Sequence, residues 1–202
     1  MENIEPMSAG LEINFAGPYA WFQDADVPAL DQAPMARSHG IYLWTVPTKA
    51  GELVYYVGET GRGFAERMTE HLRQQLSGMY HIYDPEALAH GDKRALWNGL
   101  YGDTRETEGL HGFVNRLPEL SAPLAGFIKL MRFHVAELSQ EKRLRERIEA
   151  AISCHLKHQS GVIGTFQDDG IRYRPRRTDE EPIIVRCIST GRILGLPDMI
   201  VV

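Results

Sequence analysis

Short runs of alternating or wholly apolar residues along the chain predict β-strands. Residues 11–15 alternate apolar and polar side chains, which is typical of a strand with one buried face. Residues 40–46 and 53–57 are rich in β-branched and aromatic residues, and the segment 47–52, which contains Pro and Gly, predicts a hairpin turn between them. Because both runs are apolar on both faces, we expect this hairpin inside a sheet that is covered on each side.

A four-residue periodicity predicts two principal helices. The first spans residues 62–76, and its apolar stripe consists of Phe64, Met68, Leu72 and Leu76. The second spans residues 141–157, with Ser139 as its expected cap. Its apolar stripe consists of Leu144, Ile148, Ala151, Ile152 and Leu156. Shorter helices are expected over residues 93–101 and 110–117.

The remaining segments predict further strands separated by loops. In residues 126–138 the apolar side chains fall on odd positions, which indicates another strand. Two more strands are expected in the tail, over residues 171–174 and 183–188. Residues 17–38 are rich in Pro, Ala and Asp, so we expect loop there with at most a short helix, and residues 77–92 contain several turn dipeptides.

Composition places the chain among soluble proteins. Of its 202 residues, 43% are apolar, which is ordinary for a globular domain. No apolar run is long enough to cross a bilayer, and the N-terminus lacks the basic start and apolar stretch of a signal peptide. Cys154 and Cys187 are too few for a disulfide framework, so both are expected to be reduced thiols. We therefore expect a cytoplasmic protein with no membrane partner.

The charge is unevenly distributed along the chain. The net charge is −5, but residues 139–177 hold nine Lys or Arg and only five acidic residues. A local basic field on an acidic protein can dock a phosphate backbone while the acidic remainder limits indiscriminate binding. The alternative is that these charges form an ordinary solvated surface.

Two tripeptides and three later residues carry the strongest functional signal. Gly40-Ile41-Tyr42 opens the first strand of the hairpin, and Tyr56-Val57-Gly58 ends the second. Arg67 and His71 follow on the first helix, and Glu149 lies on the last. This ordered set resembles the GIY-YIG nuclease family, closely over residues 40–73 and more loosely over residues 126–157.

The resemblance implies a fold and a division of the chain. It implies an α/β chain of the α+β type, with a small, mainly antiparallel sheet of about three strands flanked by helices and extra strands from the termini. Residues 39–160 would form the catalytic domain, with an insertion at about residues 74–125. An N-terminal extension, residues 1–38, and a β-rich extension, residues 161–202, would flank this domain.

Helix geometry is consistent with the residues in the motif. Arg67 and His71 are four residues apart, so they share a face and flank the apolar stripe beside the sheet. The alternative for Arg67 is a surface ion pair with Glu66 or Glu70. On the last helix, Glu149 lies at the margin of the stripe. Glu146 is expected to face solvent and to pair with Lys142 or Arg143.

The resemblance also implies a mechanism of metal-dependent phosphodiester hydrolysis. Glu149 would hold a divalent cation, Mg²⁺ or Mn²⁺, and Arg67 would neutralise charge on the phosphoryl group. Tyr42 would take the proton from the attacking water, with Tyr56 and His71 orienting or activating it. The substrate would be nucleic acid, with DNA favoured because the family mostly cuts DNA.

Several features lie outside this pattern. Glu59 occupies a position where several members of the family have a lysine, so a basic side chain is missing there unless Arg62 substitutes for it. Many members also have an asparagine shortly after the glutamate of the last helix, but no asparagine follows Asn115 in this chain. Further contacts to nucleic acid are expected from Arg62, Arg73, Arg145, Arg174 and Arg176. Cys154 and His158 share a helix face but supply only two of the four ligands that a structural zinc ion requires.

Two alternatives to a nuclease remain open from the sequence. One is a nucleic-acid-binding module that keeps the fold but not the chemistry. The other is an adaptor that reaches DNA through a partner, using a protein-interaction surface in the insertion and the tail. The sequence does not determine the oligomeric state or the biological role.

Overall fold

Strands and helices alternate along most of the chain. The computed structural model describes residues 10–24, 26–101, 109–167 and 173–202. The strands within these ranges are Leu11–Tyr19 (β1), Gly40–Thr48 (β2), Gly51–Thr60 (β3), Ile82–Tyr83 (β4), Ala95–Trp97 (β5), Arg132–Glu137 (β6), Ile184–Ser189 (β7), Ile193–Leu194 (β8) and Met199–Val201 (β9). The helices are Phe64–Leu76 (α1), Pro85–Ala89 (α2), Gly109–Leu130 (α3), Lys142–Lys157 (α4) and Val162–Thr165 (α5), with a 3-10 turn at Leu30–Gln32.

The central sheet is larger than the sequence predicts. Seven strands form one mixed sheet in the order β8-β3-β2-β6-β1-β7-β9, and β4 and β5 form a separate pair. The expectation of a small sheet of about three mainly antiparallel strands is therefore wrong. The reason is that β1 pairs with β6 on one side and runs parallel to β7 on the other, so strands from both ends of the chain extend the same sheet.

Each face of the sheet has its own hydrophobic core, as the sequence predicts for the hairpin. On one face α1 and α3 contribute Phe64, Met68 and Phe127, which pack with Tyr42 and Trp44 of β2. On the opposite face α4 contributes a second set, which consists of Ile148, Ile152 and Leu156 and packs with Ile41 and Leu43. The alternation of side chains along β2 thus supplies both cores.

The first and last principal helices are close to their predicted bounds. α1 begins at Phe64, two residues later than expected, and α4 begins at Lys142 with Glu141 rather than Ser139 in the N-cap position. Both keep the predicted apolar stripe against the sheet, although Leu76 at the end of α1 is 51% exposed. These two helices carry most of the side chains that the motif identifies.

Three of the shorter predicted elements are wrong in whole or in part. Residues 93–101 do not form a helix, because Trp97 and its neighbours pair with β4 instead. The helix predicted over residues 110–117 continues without a break as α3 to Leu130, through Pro118 and Pro123. The strand predicted over residues 126–138 begins only at Arg132.

The N-terminal and C-terminal predictions are confirmed in part. The strands expected over residues 11–15 and 183–188 are present as β1, which continues to Tyr19, and β7. Of the strand expected over residues 171–174, Ile171 and Arg172 lie outside the described residues, and Tyr173 and Arg174 are not in a strand.

In the described part of the chain, none of the helices has the length and apolar character to span a membrane.

Candidate active site

Tyr42 and Tyr56 place two phenol rings side by side on the face of the sheet that α1 covers. Their ring centroids lie 5.9 Å apart. Tyr56 pairs with Trp44 across the hairpin, and the register shifts directly after this pair, so that Tyr55 becomes the extra residue of a β-bulge. Because of the bulge, Tyr55 and Tyr56 both pack toward the same core, whereas strict alternation would separate them.

The two motif glycines make room for backbone and ring contacts. Gly58 lies opposite Tyr42 in the hairpin, and a Cβ at Gly58 would approach Cε2 of the Tyr42 ring to 2.7 Å and other ring atoms more closely. A Cβ at Gly40, whose φ is +153°, would collide with the carbonyl oxygen of Ala136 and lie 2.7 Å from the backbone nitrogen of Leu138. Both positions therefore require the smallest residue.

His71 is the buried centre of a polar row. Its Nε2 lies 2.9 Å from the hydroxyl of Tyr42, and its Nδ1 lies 3.0 Å from the hydroxyl of Tyr80. The Trp44 ring packs edge-on against the imidazole at 4.9 Å between centroids. Burial, helped by the charge of Arg67, lowers the pKa of His71 to about 3. His71 is therefore neutral at pH 7, with one ring nitrogen as a donor and the other as an acceptor.

Arg67 connects the phenols to a surface ion pair. Its Nε donates to the hydroxyl of Tyr42 at 3.4 Å, and its Nη1 lies 3.0 Å from the carboxylate of Glu70. Arg62 binds the same carboxylate through both of its terminal nitrogens, one of them at 2.7 Å. Arg67 thus makes both of the contacts that the sequence offered as alternatives, the contact in the site and the surface ion pair.

The two phenols are both protonated at neutral pH but differ in exposure. Tyr42 is completely buried, and burial raises its pKa to about 12, although Arg67 and the hydroxyl of Tyr56 lower it. Tyr56 remains partly exposed. Burial raises the pKa of Tyr56 as well, and its interactions with Tyr42 and Glu149 raise it further.

Glu149 reaches the site around an edge of the sheet. β8 pairs with β3 only at Glu52 and Leu53, so within the described sheet the end of β3 near Glu59 has a free edge. There, Oε1 of Glu149 accepts a hydrogen bond from the backbone N–H of Glu59 at 3.1 Å. Burial and the nearby charge of Glu59 raise the pKa of Glu149 to about 7, and Arg67 opposes this shift.

The environment of Glu149 suits a hard divalent cation. Mg²⁺ prefers oxygen ligands and commonly uses one or two carboxylates together with waters and substrate phosphates. A partly buried carboxylate beside a second acid is costly to ionise, and a cation would relieve that cost. No group of three His, Cys, Asp or Glu side chains in the described ranges is placed to hold a metal without other ligands, and this includes Cys154 and His158. A cation at Glu149 would therefore need further ligands beyond the described His, Cys, Asp and Glu side chains.

Glu146 is buried, and the prediction that it faces solvent is wrong. It is 8% exposed, and its Oε1 lies 2.9 Å from Nη1 of Arg174. The predicted pairs with Lys142 and Arg143 are present at 3.6 and 3.7 Å. The tail folds over this part of α4, which the helix periodicity alone does not reveal.

The arginines predicted to contact nucleic acid differ in their surroundings. Arg73 is exposed on α1, and Arg62 is about half exposed beside Glu70. Arg145 is buried against Glu59, with 3.1 Å between Nε and Oε2. In the tail, Arg174 pairs with Glu146, and Arg176 donates to the carbonyl of Glu180 at 2.8 Å. Arg73 is on the same helix as Arg67, and Arg62 lies just before that helix begins, whereas the other three are held by partners elsewhere.

Sequence reasoning missed two residues that contact the site. Tyr80 lies in the segment interpreted as an insertion, and only its position after the turn that follows α1 brings it to His71. In the sequence, Glu59 stands out only as the absence of a lysine. In the structure, its backbone N–H binds Glu149 and its carboxylate binds Arg145. The one available signal for Glu59 was its place directly after Gly58.

Comparisons with protein-family models, with curated proteins and with solved structures found no match to this chain.

Proposed function

We propose that this protein is a metal-dependent endonuclease of the GIY-YIG type that hydrolyses phosphodiester bonds in DNA. One observation carries the proposal. A guanidinium group, an imidazole and two phenols contact one another on one face of the sheet, and the carboxylate of Glu149, from the helix on the opposite face, is bound at the neighbouring edge of β3. Arg67 and His71 both bond to Tyr42, and Glu149 is near enough for its charge to act on Tyr56. The other ion pairs among the described residues do not combine these groups.

Arg67 is the group that would bind the scissile phosphate. A guanidinium matches the geometry of phosphoryl oxygens and stabilises the negative charge that develops on them. Its Nη1 is occupied by the carboxylate of Glu70, which is an anion of similar hydrogen-bonding character. Substrate would therefore replace Glu70 on this side of Arg67, while Nε keeps its contact with Tyr42.

The proton from the attacking water would pass along the row of Tyr56, Tyr42 and His71. The resemblance assigns the contact with water to Tyr42. Because Tyr42 is completely buried, we assign that contact to the partly exposed Tyr56 instead. As Tyr56 takes the proton from water, its own proton moves to Tyr42, and the proton of Tyr42 moves to Nε2 of His71. A bound phosphate anion would favour the charged form of His71 and so promote the last transfer.

The remaining bond changes follow from in-line attack. The water oxygen forms a bond to phosphorus, the bond from phosphorus to the leaving oxygen breaks, and that oxygen takes a proton from solvent. A divalent cation held by Glu149, Mg²⁺ or Mn²⁺, would supply stabilisation of the charge on the leaving oxygen. We propose DNA rather than RNA because the family that the motifs resemble mostly cuts DNA.

Cleavage of a mixed substrate panel tests this function. Purified protein is incubated with duplex, branched and single-stranded DNA and with RNA, with Mg²⁺, with Mn²⁺ and without metal. We expect metal-dependent cutting that Arg67→Ala and Glu149→Ala abolish and that Arg116→Ala, on the distant helix α3, retains. Cutting that survives in both site variants would overturn the proposal, and binding without any cutting would support the non-catalytic module instead.

A further inference from the structure

The polar row at the candidate site does not end at His71. The hydroxyl of Tyr80 lies 3.0 Å from Nδ1 of His71, on the side of the ring away from Tyr42. Tyr80 belongs to the segment between α1 and β4, outside every motif that the sequence supplies. Its hydroxyl is the second phenol hydroxyl within hydrogen-bond distance of a histidine that is only 4% exposed.

The segment that carries Tyr80 is held in place from two directions. On the α1 side, the side chain of Gln75 donates to the carbonyl of His81 at 2.8 Å. On the β5 side, the indole of Trp97 donates to the carbonyl of Gly78 at 2.7 Å, and the backbone N–H of Leu100 donates to Met79 at 3.0 Å. Gly78 turns the chain with φ +74°, where a Cβ would lie 2.6 Å from the Phe113 ring. Tyr80 is therefore presented to His71 by fixed backbone rather than by a free loop.

The hydrogen bonds on both sides of His71 together favour one tautomer of its ring. The hydroxyl oxygen of Tyr42 accepts from Nε of Arg67, which can only donate. Its own hydrogen is then available for Nε2 of His71, which must be unprotonated to accept it. With Nε2 as the acceptor, the one N–H of the neutral imidazole lies on Nδ1 and is donated to the hydroxyl oxygen of Tyr80.

We infer that Tyr80 is a positioning residue, which holds His71 in the Nδ1-protonated tautomer and leaves Nε2 free to accept the proton of Tyr42. The inference rests on the proposed function for its catalytic consequence, but not for the tautomer itself. The Tyr80 hydroxyl would fix both the tautomer and the orientation of the His71 ring. The hydrogen-bond partners of metal-bound histidines act on the imidazole in the same way.

Two measurements on the full chain test the inference. Nitrogen-15 NMR of the histidine side chains reads the tautomer of His71 directly, and it needs no substrate. We expect wild type to show Nδ1–H and Nε2 without hydrogen, and Tyr80→Phe to show a mixture of the two tautomers. Tyr80→Phe removes one oxygen and keeps the ring. Tyr101→Phe is the matched control, because its ring packs on Tyr80 at 5.7 Å and its hydroxyl contacts Gln74 rather than His71.

Cleavage kinetics provide the second measurement. Tyr80→Phe should lower kcat by about 10-fold or more with little change in KM, in the range found for such supporting partners. Tyr101→Phe should leave both constants near wild type. An Nε2–H tautomer in wild type, or a Tyr80→Phe spectrum identical to wild type, would overturn the inference. Absence of cleavage in wild type would refute the nuclease proposal, whereas the NMR result would still decide the role of Tyr80.

Discussion

Gly58 lies directly opposite Tyr42 across the hairpin, and the phenol ring of Tyr42 fills the space where a side chain at Gly58 would stand. The two tripeptides of the motif therefore depend on each other sterically. Tyr42 from the first tripeptide fits beside His71 only because the second ends in glycine.

Gly58→Ala should destabilise the protein and displace Tyr42 from His71. The added methyl group would overlap the ring, and overpacking of this kind costs roughly 1–3 kcal/mol. Denaturant unfolding measures the change in the free energy of unfolding. Gly191→Ala is the control, because nothing lies within 4 Å of its Cβ position. Equal stability of the two variants would show that the ring and the glycine are not in tight contact.

Glu70→Gln should strengthen DNA binding. Glu70 neutralises both Arg62 and Arg67, so removing its charge exposes two guanidinium groups to phosphate. We expect affinity to rise by up to about fivefold, since a partly exposed ion pair is worth about 1 kcal/mol or less. Binding is measured without divalent metal at fixed salt concentration.

The control for Glu70→Gln is Glu66→Gln. It makes the same change of charge on the same helix, but Glu66 is exposed and reaches only Arg62, at 3.8 Å. If the two variants bind DNA equally well, the gain reflects total charge, and Glu70 does not compete with phosphate for Arg67.

His134 should contribute to the acid sensitivity of the fold. It is fully buried in β6, and neither ring nitrogen has a hydrogen-bond partner among the described residues. Burial lowers its pKa from 6.5 to about 4. The unfolded state then binds more protons in this range, so stability is present above pH 6.5 and is lost as pH falls toward 4.

His134→Leu should therefore lose less stability than wild type as the pH falls from 6.5 to 4. The difference in the free energy of unfolding should be on the order of 2 kcal/mol at the acid end. Thermal melts across this range measure the effect, with His111→Leu on the exposed face of α3 as the control. His71 retains its own acid sensitivity, so some pH dependence should remain. An unchanged slope in His134→Leu would show that His134 does not stay neutral in the folded protein.

Glu149→Gln should make the protein more stable at neutral and alkaline pH. The pKa of Glu149 is raised to about 7, so the folded state binds more protons than the unfolded state as pH rises from 4.5 to 7. The wild-type protein therefore loses stability over this interval, whereas the Glu149→Gln variant, which has no carboxyl group to titrate at this position, does not. Relative to wild type we expect a gain of roughly 1–2 kcal/mol above pH 7, fading below pH 5. A variant less stable than wild type at pH 8 would contradict this.

Local sequence patterns predict the parts of the structure that depend on local contacts. The hairpin, α1 and α4 follow from the periodicity of their apolar residues, and Tyr42, Tyr56, Arg67 and His71 of the motif lie in contact on the hairpin and α1. The complete burial of Tyr42 is not predicted, because the resemblance places its hydroxyl in contact with the attacking water.

Other features depend on contacts between distant segments. β1 pairs in parallel with β7 from the far end of the chain, and no local pattern specifies such a partner. The odd-numbered apolar residues Phe127 and Met131 indicate a strand, although their four-residue spacing also suits a helix, and Phe127 lies in α3 while Met131 directly follows it. Glu146 is covered by the tail, and Tyr80 reaches His71 only through the turn at Gly78.

The most direct test of the site is metal-supported DNA cleavage by a matched pair of variants, Glu149→Gln and Glu146→Gln. Both lie on α4 and both lose one carboxylate, but only Glu149 lies at the edge of β3 beside Arg67 and the phenols. We predict that Glu149→Gln lowers kcat by about 100-fold or more, while Glu146→Gln cuts close to the wild-type rate. Wild-type cutting by Glu149→Gln, or loss confined to Glu146→Gln, would contradict the assignment.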